Sequence, residues 1–258
     1  MSIKKTIIWF GEITFMKSGR EIKKDGFVIL LCDKYGAHGV IKDDESHISC
    51  LFKRIEVIMT AENEVRQGAV NRATSETDIK LAFTLDGTGQ TTVSTGVAFF
   101  DHMLTLFGVH GFFDLDVAAS GDIDVDYHHT VEDVGICLGQ ALAKALGDRA
   151  GISRYGVSYL PMDETLVRVV VDVSNRPYLH YDAVAPDQKV GSFDTCLAKE
   201  FMRAFSQHAG LTLHVDLLHG ENSHHIIEAV FKALGRSVND ATRRISGMTT
   251  VLSSKGSL

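Results

Sequence analysis

The sequence predicts an α+β domain of two similar ββαβα halves, with helices packed on one face of mostly antiparallel sheets. An internal repeat and a recurring order of periodicities predict it. Phe107-Gly-Val-His110-Gly-Phe-Phe-Asp-Leu115-Asp-Val117 aligns with Phe205-Ser-Gln-His208-Ala-Gly-Leu-Thr-Leu213-His-Val215 at an offset of 205 − 107 = 98. His128-His129-Thr-Val-Glu132-Asp-Val134 aligns with His224-His225-Ile-Ile-Glu228-Ala-Val230 at an offset of 96. Continued to Leu138-Gly139 over Leu234-Gly235, ten of 23 aligned positions are identical, which points to a duplicated half-domain.

Each half then reads in the same order. Residues 78–85 and 166–173 carry β-rich, partly alternating patterns, and a second strand follows each at 91–95 and 178–181. An apolar helix comes next (99–109 and 194–209), then a strand (112–118 and 211–217). Gly-containing turns (Gly121-Asp122; Gly220-Glu221-Asn222) lead into a long final helix that starts at or just before each His doublet. A weaker echo of Glu76-Thr77 in Glu164-Thr165 extends the repeats to about 72–155 and 156–258. A strand near Gly156–Leu160 is expected to bridge the halves.

The first 58 residues read differently. They are lysine-rich, hold strand-like pieces (Phe27–Cys32, Ile55–Ile58) and carry no catalytic signature. Met59-Thr60-Ala61-Glu62 resembles an ordinary bacterial start, so residues 1–58 are read as an N-terminal extension of unknown role and residues 59–258 as the functional domain.

Composition excludes several function classes. Hydrophobic residues at 45% and charged residues at 23% suit an ordinary soluble domain. A net charge of −7 argues against non-specific nucleic-acid binding, which needs a cationic face, yet leaves room for a small basic pocket. No apolar run approaches the roughly 20 residues that span a bilayer. The two lysines and broken apolar patch at the start make a poor signal peptide, so a cytoplasmic protein without membrane partners is expected. Cys32, Cys50, Cys137 and Cys196 are scattered without a CxxC pair, as suits reduced thiols.

Histidine is the unusual residue: twelve occur, several in doublets. Positions i and i+4 of a helix share a face, so His128 with Glu132, and His224 with Glu228, can each grip one metal ion. The second His of each doublet is turned by about 100° and must serve another ion or none. Duplication resolves this if each helix lends its spare His to the metal held by the other helix. A single such motif would more often be a capping or solvent-facing His. Two copies at matching places favour metal, and imidazole with carboxylate suits Mn, Fe, Co, Ni or Zn.

Phe100-Asp101-His102-Met103-Leu104, Asp126-Tyr-His128-His129-Thr-Val-Glu132-Asp133, Glu221-Asn-Ser-His224-His225-Ile-Ile-Glu228-Ala229 and Ser253-Ser254-Lys255-Gly256 together resemble imidazoleglycerol-phosphate dehydratase. The resemblance runs from about Arg72 to the C-terminus. It implies a duplicated fold of the ribosomal protein S5 domain 2-like class and a homo-oligomer, a large octahedral assembly with interfacial active sites. It also implies two Mn²⁺ ions per active site, one taking His102, His129, His224 and Glu228 and the other His128, Glu132 and His225. His102 is a ligand and substrate contact by resemblance alone, since a His in an apolar helix is more often buried and satisfied.

The eighth ligand is either Glu200, which the offset of 98 maps onto His102, or His214. Glu200 ranks first. Arg154, Arg176, Ser254 and Lys255 match positions that hold the substrate phosphate, and guanidinium, ammonium and hydroxyl donors suit a dianion. Glu76 matches a glutamate close to substrate and is the candidate for proton transfer. The implied activity is a hydro-lyase of histidine biosynthesis that dehydrates imidazole glycerol phosphate, a small phosphorylated imidazole, through a metal-bound imidazolate. Rivals are a non-catalytic metal-binding shell and a dinuclear metallohydrolase. A fused histidinol-phosphate phosphatase is not expected, for lack of a DxDxT motif.

Overall fold

The computed structural model describes residues 65–256 throughout and, before them, the backbone of five strands within residues 6–41. The chain divides into two compact units, Met1–Glu64 and Val65–Leu258. In the first, β1 (Thr6–Phe10), β4 (Phe27–Asp33) and β5 (Gly36–Ile41) form an antiparallel sheet with β4 central, while β2 (Ile13–Lys17) pairs with β3 (Arg20–Lys24). The strand expected over Phe27–Cys32 is β4; Ile55–Ile58 lies outside the described residues.

The second unit holds two four-stranded sheets of identical topology. β6 (Gln67–Ala73), β7 (Thr77–Thr84), β8 (Thr91–Ser94) and β9 (Asp114–Gly121) are ordered β6-β7-β9-β8. β10 (Tyr155–Met162), β11 (Thr165–Asp172), β12 (Tyr178–Asp182) and β15 (Thr212–His219) are ordered β10-β11-β15-β12. In each sheet three strands are antiparallel, and the edge strand β8 or β12 runs parallel to its neighbour. Each of these sheets therefore has one strand more than the repeat indicates. The strand expected near Gly156–Leu160 is β10, which opens the second sheet instead of bridging the halves.

Helix α1 spans Ala98–Gly111, α2 His128–Leu146, α3 Leu197–Ala209 and α4 Ser223–Thr242. The third was expected to start at Asp194, but Phe193–Asp194 is β14 and pairs with β13 (Lys189–Val190), delaying the helix to Leu197. The strand expected from Phe112 starts at Asp114, because Phe112 is the left-handed cap that ends α1 (φ 57°).

Strand alternation decides where the helices lie. Val167, Val169 and Val171 of β11 point inward and are fully buried, whereas Arg168 and Asp172 point outward. Helix α2 covers β6 and β7, α4 covers β10 and β11, and the two helical layers face each other as α1 on α4 and α2 on α3. Phe107 and Phe205, equivalent in the repeat, meet in the core at 6.0 Å with their rings at 73°.

The crossings are close because glycines line them, one of them at an equivalent position in each. A Cβ on Gly139 of α2 would lie 2.7 Å from the carbonyl oxygen of Phe205 on α3. Its repeat partner Gly235 of α4 stands in the same relation to the carbonyl of Phe107 on α1. The close packing sets the N-terminal turn of each long helix beside a helix from the other half.

Candidate metal centre and phosphate cradle

The first turn of α4 is fixed by Asn222, whose side chain accepts from the backbone N–H groups of His224 (2.9 Å) and His225 (3.3 Å). One turn apart on this helix, His224 Nε2 stands 3.1 Å from Glu228 Oε2. From α1, His102 Nε2 reaches the same oxygen at 3.3 Å. The ligand atoms of His102, His224 and Glu228 all lie within 4.8 Å of one another, the only such group among the described residues. Two imidazoles and a carboxylate form a donor set fit for a divalent transition metal. His102 is exposed on the edge of α1, so its buried alternative does not hold.

Glu228 is almost completely buried, and its second oxygen is held by Lys232 Nζ at 2.5 Å. Burial alone would push this carboxyl up, but Lys232, His102 and His224 reverse that and hold it below its ordinary value. Sequence reasoning missed Lys232. Its signal was the i, i+4 spacing after Glu228 on the same helix face.

On α2, His128 Nε2 and Glu132 Oε2 are 3.5 Å apart, one turn on, as the spacing anticipated. The backbone N–H of His128 donates to Asp126 Oδ1 at 2.7 Å. Glu200 lies on α3, the repeat equivalent of α1, but bonds to Arg203 and does not close a trio with His128 and Glu132. His214 sits between the inward Leu213 and Val215 of β15 and so faces away from the helices. Its ring is 5.4 Å from that of His180 and 5.7 Å from that of Tyr178.

The second histidine of each doublet has a carboxylate of its own. His129 Nδ1 is 3.0 Å from Asp122 Oδ2 and 3.9 Å from Glu76 Oε2. His225 Nδ1 is 2.8 Å from Glu164 Oε2. Asp122 raises the pKa of His129, and Glu164 raises that of His225. Glu164 itself is held well below the usual carboxylate range by His225 and by the backbone N–H of Asn222. Glu76 is half-exposed at the start of β7. It does not pair with Arg72, which is bound to Asp133 at 3.0 Å.

A third cluster gathers cations. Arg154, in the left-handed region (φ 69°), donates from Nε and Nη2 to both oxygens of Asp172 at 2.7 and 3.1 Å. Arg176 follows Asn175, also left-handed (φ 54°), and brings Nη2 to 3.9 Å from the same carboxylate. Arg154 Nη1 also donates to the carbonyl of Leu252 at 2.6 Å, which draws the C-terminal segment bearing Ser254 and Lys255 to this cluster. Ser254 and Lys255 are exposed there. Left-handed non-glycine residues carry backbone strain of about 1–3 kcal/mol each, and such residues cluster at binding sites. Within one chain, the described bonds join His102, His224 and Glu228 but leave His128–Glu132 and the arginine cluster apart from them.

A profile of the family described as "Imidazoleglycerol-phosphate dehydratase" matches residues 95–238. A protein of that name from Desulfotalea psychrophila is 61% identical over 193 residues, covering 75% of this chain and 96% of the relative. The chain belongs to the imidazoleglycerol-phosphate dehydratase family. A relative of the same name from Acetivibrio thermocellus is 56% identical over 193 residues, covering 75% of this chain and 99% of its own. Among solved structures, the imidazoleglycerol-phosphate dehydratase from Staphylococcus aureus is 43% identical with a TM-score of 0.64, covering 69% of this chain and 99% of that one. The enzyme from Pyrococcus furiosus, in complex with (S)-C348, is 38% identical with a TM-score of 0.65, covering 73% of this chain and 100% of that one. Of the residues His102, His129, His224 and Glu228, a single chain gathers three, and its His129 is turned to Asp122.

Proposed function

We propose that the protein is a hydro-lyase that converts imidazole glycerol phosphate to imidazole acetol phosphate in histidine biosynthesis. The observation that carries this reading is the trio of His102, His224 and Glu228, assembled from both halves of a chain of this family. His102, His224 and Glu228 would hold one Mn²⁺ with His129 of another subunit, and His128, Glu132 and Glu200 the other with a subunit's His225. Such sharing requires a homo-oligomer with interfacial sites, for which a large octahedral assembly is our reading. Glu200 ranks above His214 because α3 packs on α2, the helix that bears His128 and Glu132, while His214 lies on the opposite face of its sheet. When bound, the metal supplies Lewis acidity that makes the substrate imidazole N–H easier to lose.

The remaining steps belong to side chains. Arg154, Arg176, Ser254 and Lys255 bind the phosphate dianion through charge-assisted hydrogen bonds and fix the glycerol chain. Glu76, which leaves Arg72 to Asp133, accepts the proton from C2. The C3 hydroxyl departs as well, so that with the C2 proton held by Glu76 the net loss is one water, and the resulting enol ketonises.

The substrate is small and no nucleic-acid or membrane partner is proposed; among the described residues no helix is long and apolar enough to cross a membrane. We place the enzyme in the cytoplasm, with residues 1–58 as an extension outside the catalytic domain, since the relatives are covered almost end to end by 193 residues of this chain. The decisive experiment is an assay of imidazole acetol phosphate formation by the purified full chain, and by a chain starting at Met59, with Mn²⁺ and after chelation. Full turnover after exhaustive chelation would overturn the metal reading.

A further inference from the structure

The fold gives each doublet's second histidine an acceptor from a different place in the two halves. Glu76 and Glu164 are repeat equivalents, each standing just before the strand that begins at Thr77 or Thr165. In the second half Glu164 is fully engaged. Its Oε1 accepts from the backbone N–H of Asn222 (2.9 Å), the backbone N–H of Glu221 (3.3 Å) and the hydroxyl of Thr165 (3.0 Å), and its Oε2 faces His225 Nδ1 at 2.8 Å. In the first half Asp122, on the turn after β9, takes the place beside the imidazole. Its Oδ2 and Oδ1 lie 3.0 and 3.2 Å from His129 Nδ1, while Glu76 remains at 3.9 Å.

An ionised carboxylate only accepts hydrogen bonds, so a ring nitrogen facing it at these distances carries the proton. The proton on Nδ1 leaves a lone pair on Nε2. We infer that Asp122 and Glu164 are positioning residues that lock His129 and His225 in the tautomer and ring orientation with Nε2 free to ligate, and that Asp122, by doing this in the first half, releases Glu76 for proton transfer. The inference rests on the metal reading above. Carboxylates behind ligating histidines have this effect generally, and their removal costs 10- to 100-fold in metal affinity or activity.

The two carboxylates make different demands, which yields a sharp test. At Glu164 one oxygen satisfies three donors and the other serves His225. Glu164→Gln retains a single oxygen, which the three donors claim, so its amide NH₂ turns toward His225, donates to Nδ1 and forces the proton onto Nε2. At Asp122 both oxygens lie toward His129, so Asp122→Asn keeps an acceptor by rotating its amide.

The experiment is Mn²⁺ titration of the full chain and of the D122A, D122N and E164Q variants, read as ions bound per subunit and dissociation constant, with the metal-free melting temperature as the check on folding. E164Q and D122A are expected to weaken one class of Mn²⁺ site by about 10- to 100-fold, and D122N to stay within about 3-fold of the unaltered chain. A purely structural capping role for Glu164 predicts instead that E164Q binds Mn²⁺ normally. That result, normal binding by D122A, or D122N as weak as D122A would overturn the inference while leaving the metal reading intact. An unaltered chain that binds no Mn²⁺ would overturn both.

Discussion

Substituting Gly139 by alanine sets two opposed effects against each other, and their sizes predict the outcome. Within a helix the change from Gly to Ala is favourable by about 1 kcal/mol, so an unobstructed helix would be stabilised. At Gly139 the added Cβ meets the carbonyl oxygen of Phe205 at 2.7 Å, the Cβ of His208 at 2.9 Å and the backbone nitrogen of Ala209 at 3.0 Å. Ordinary contact begins near 3.4 Å, so α2 and α3 must part by about 3.4 − 2.7 = 0.7 Å. None of the three obstructing atoms is the end of a flexible side chain. Overpacking of this kind costs about 1–3 kcal/mol, and rigid backbone atoms place it in the upper part of that range. The net loss is about 1–2 kcal/mol, or a fall of roughly 2–8 °C in the metal-free melting temperature of a domain this size.

The same substitution at Gly235 should cost at least as much, and it carries a second signature. There α1 and α4 part, so His102 recedes from Glu228 and Mn²⁺ binding weakens with stability. Differential scanning calorimetry of both alanine variants with chelator present decides the matter. A rise in melting temperature would refute the close-crossing argument, because it would leave helix propensity as the only effect.

Arg176, two-thirds exposed and only 3.9 Å from Asp172, should be removable without loss of folding. Its alanine variant is expected to raise KM about 10- to 100-fold with a smaller effect on kcat, the worth of one charge-assisted bond to phosphate, as steady-state kinetics would measure. In the metal-free chain the His225–Glu164 pair should contribute most between the ordinary pKa values of its members, 4.5 and 6.5. The depressed Glu164 loses its contribution as pH falls through its folded pKa, and the raised His225 loses its own as pH rises through the value Glu164 has lifted. Mn²⁺ retention should run the other way above pH 6.5, since ligating imidazoles must be neutral; melting curves against pH with and without Mn²⁺ show both trends. Finally, Glu200→Gln is expected to lose one Mn²⁺ per subunit and His214→Gln to keep both, as metal analysis after gel filtration would reveal.

Much of this was legible in the sequence because the informative segments are long and repeated. The doubled His-His-x-x-Glu motif fixed two helices, their polar faces and the His128–Glu132 and His224–Glu228 pairs. It could not show which residue joins each pair from another element, and the structure brings His102 to one pair but turns Glu200 toward Arg203. β6 and β10 escaped assignment as opening strands because they lie at or beyond the front of each aligned repeat, and β10 sets Tyr155, Val157 and Tyr159 on an exposed face. Asp122, Glu164 and Asp172 were given no role beyond a turn and a repeat echo, since each acts across a loop or strand and leaves no periodic trace. Glu76 and Glu164 look interchangeable in sequence. Their separation comes from the turn after β9, where Asp122 has no counterpart that reaches the histidine in the second half.

The trio also bears on how such a chain could arise. Its three donors come from opposite halves, His102 before residue 155 and His224 with Glu228 after it, so neither half alone holds the complete set. A half-length ancestor with one such helix pair would have needed to meet its own copy before any ion had three donors. That meeting depends on protein concentration. Joining the copies through the short passage from α2 to β10 makes it intramolecular, at an effective concentration of order millimolar for short connections. Fusion would thus have made this three-donor group independent of expression level and, once the copies could mutate separately, let Glu164 become a fixed hydrogen-bond acceptor while Glu76 did not.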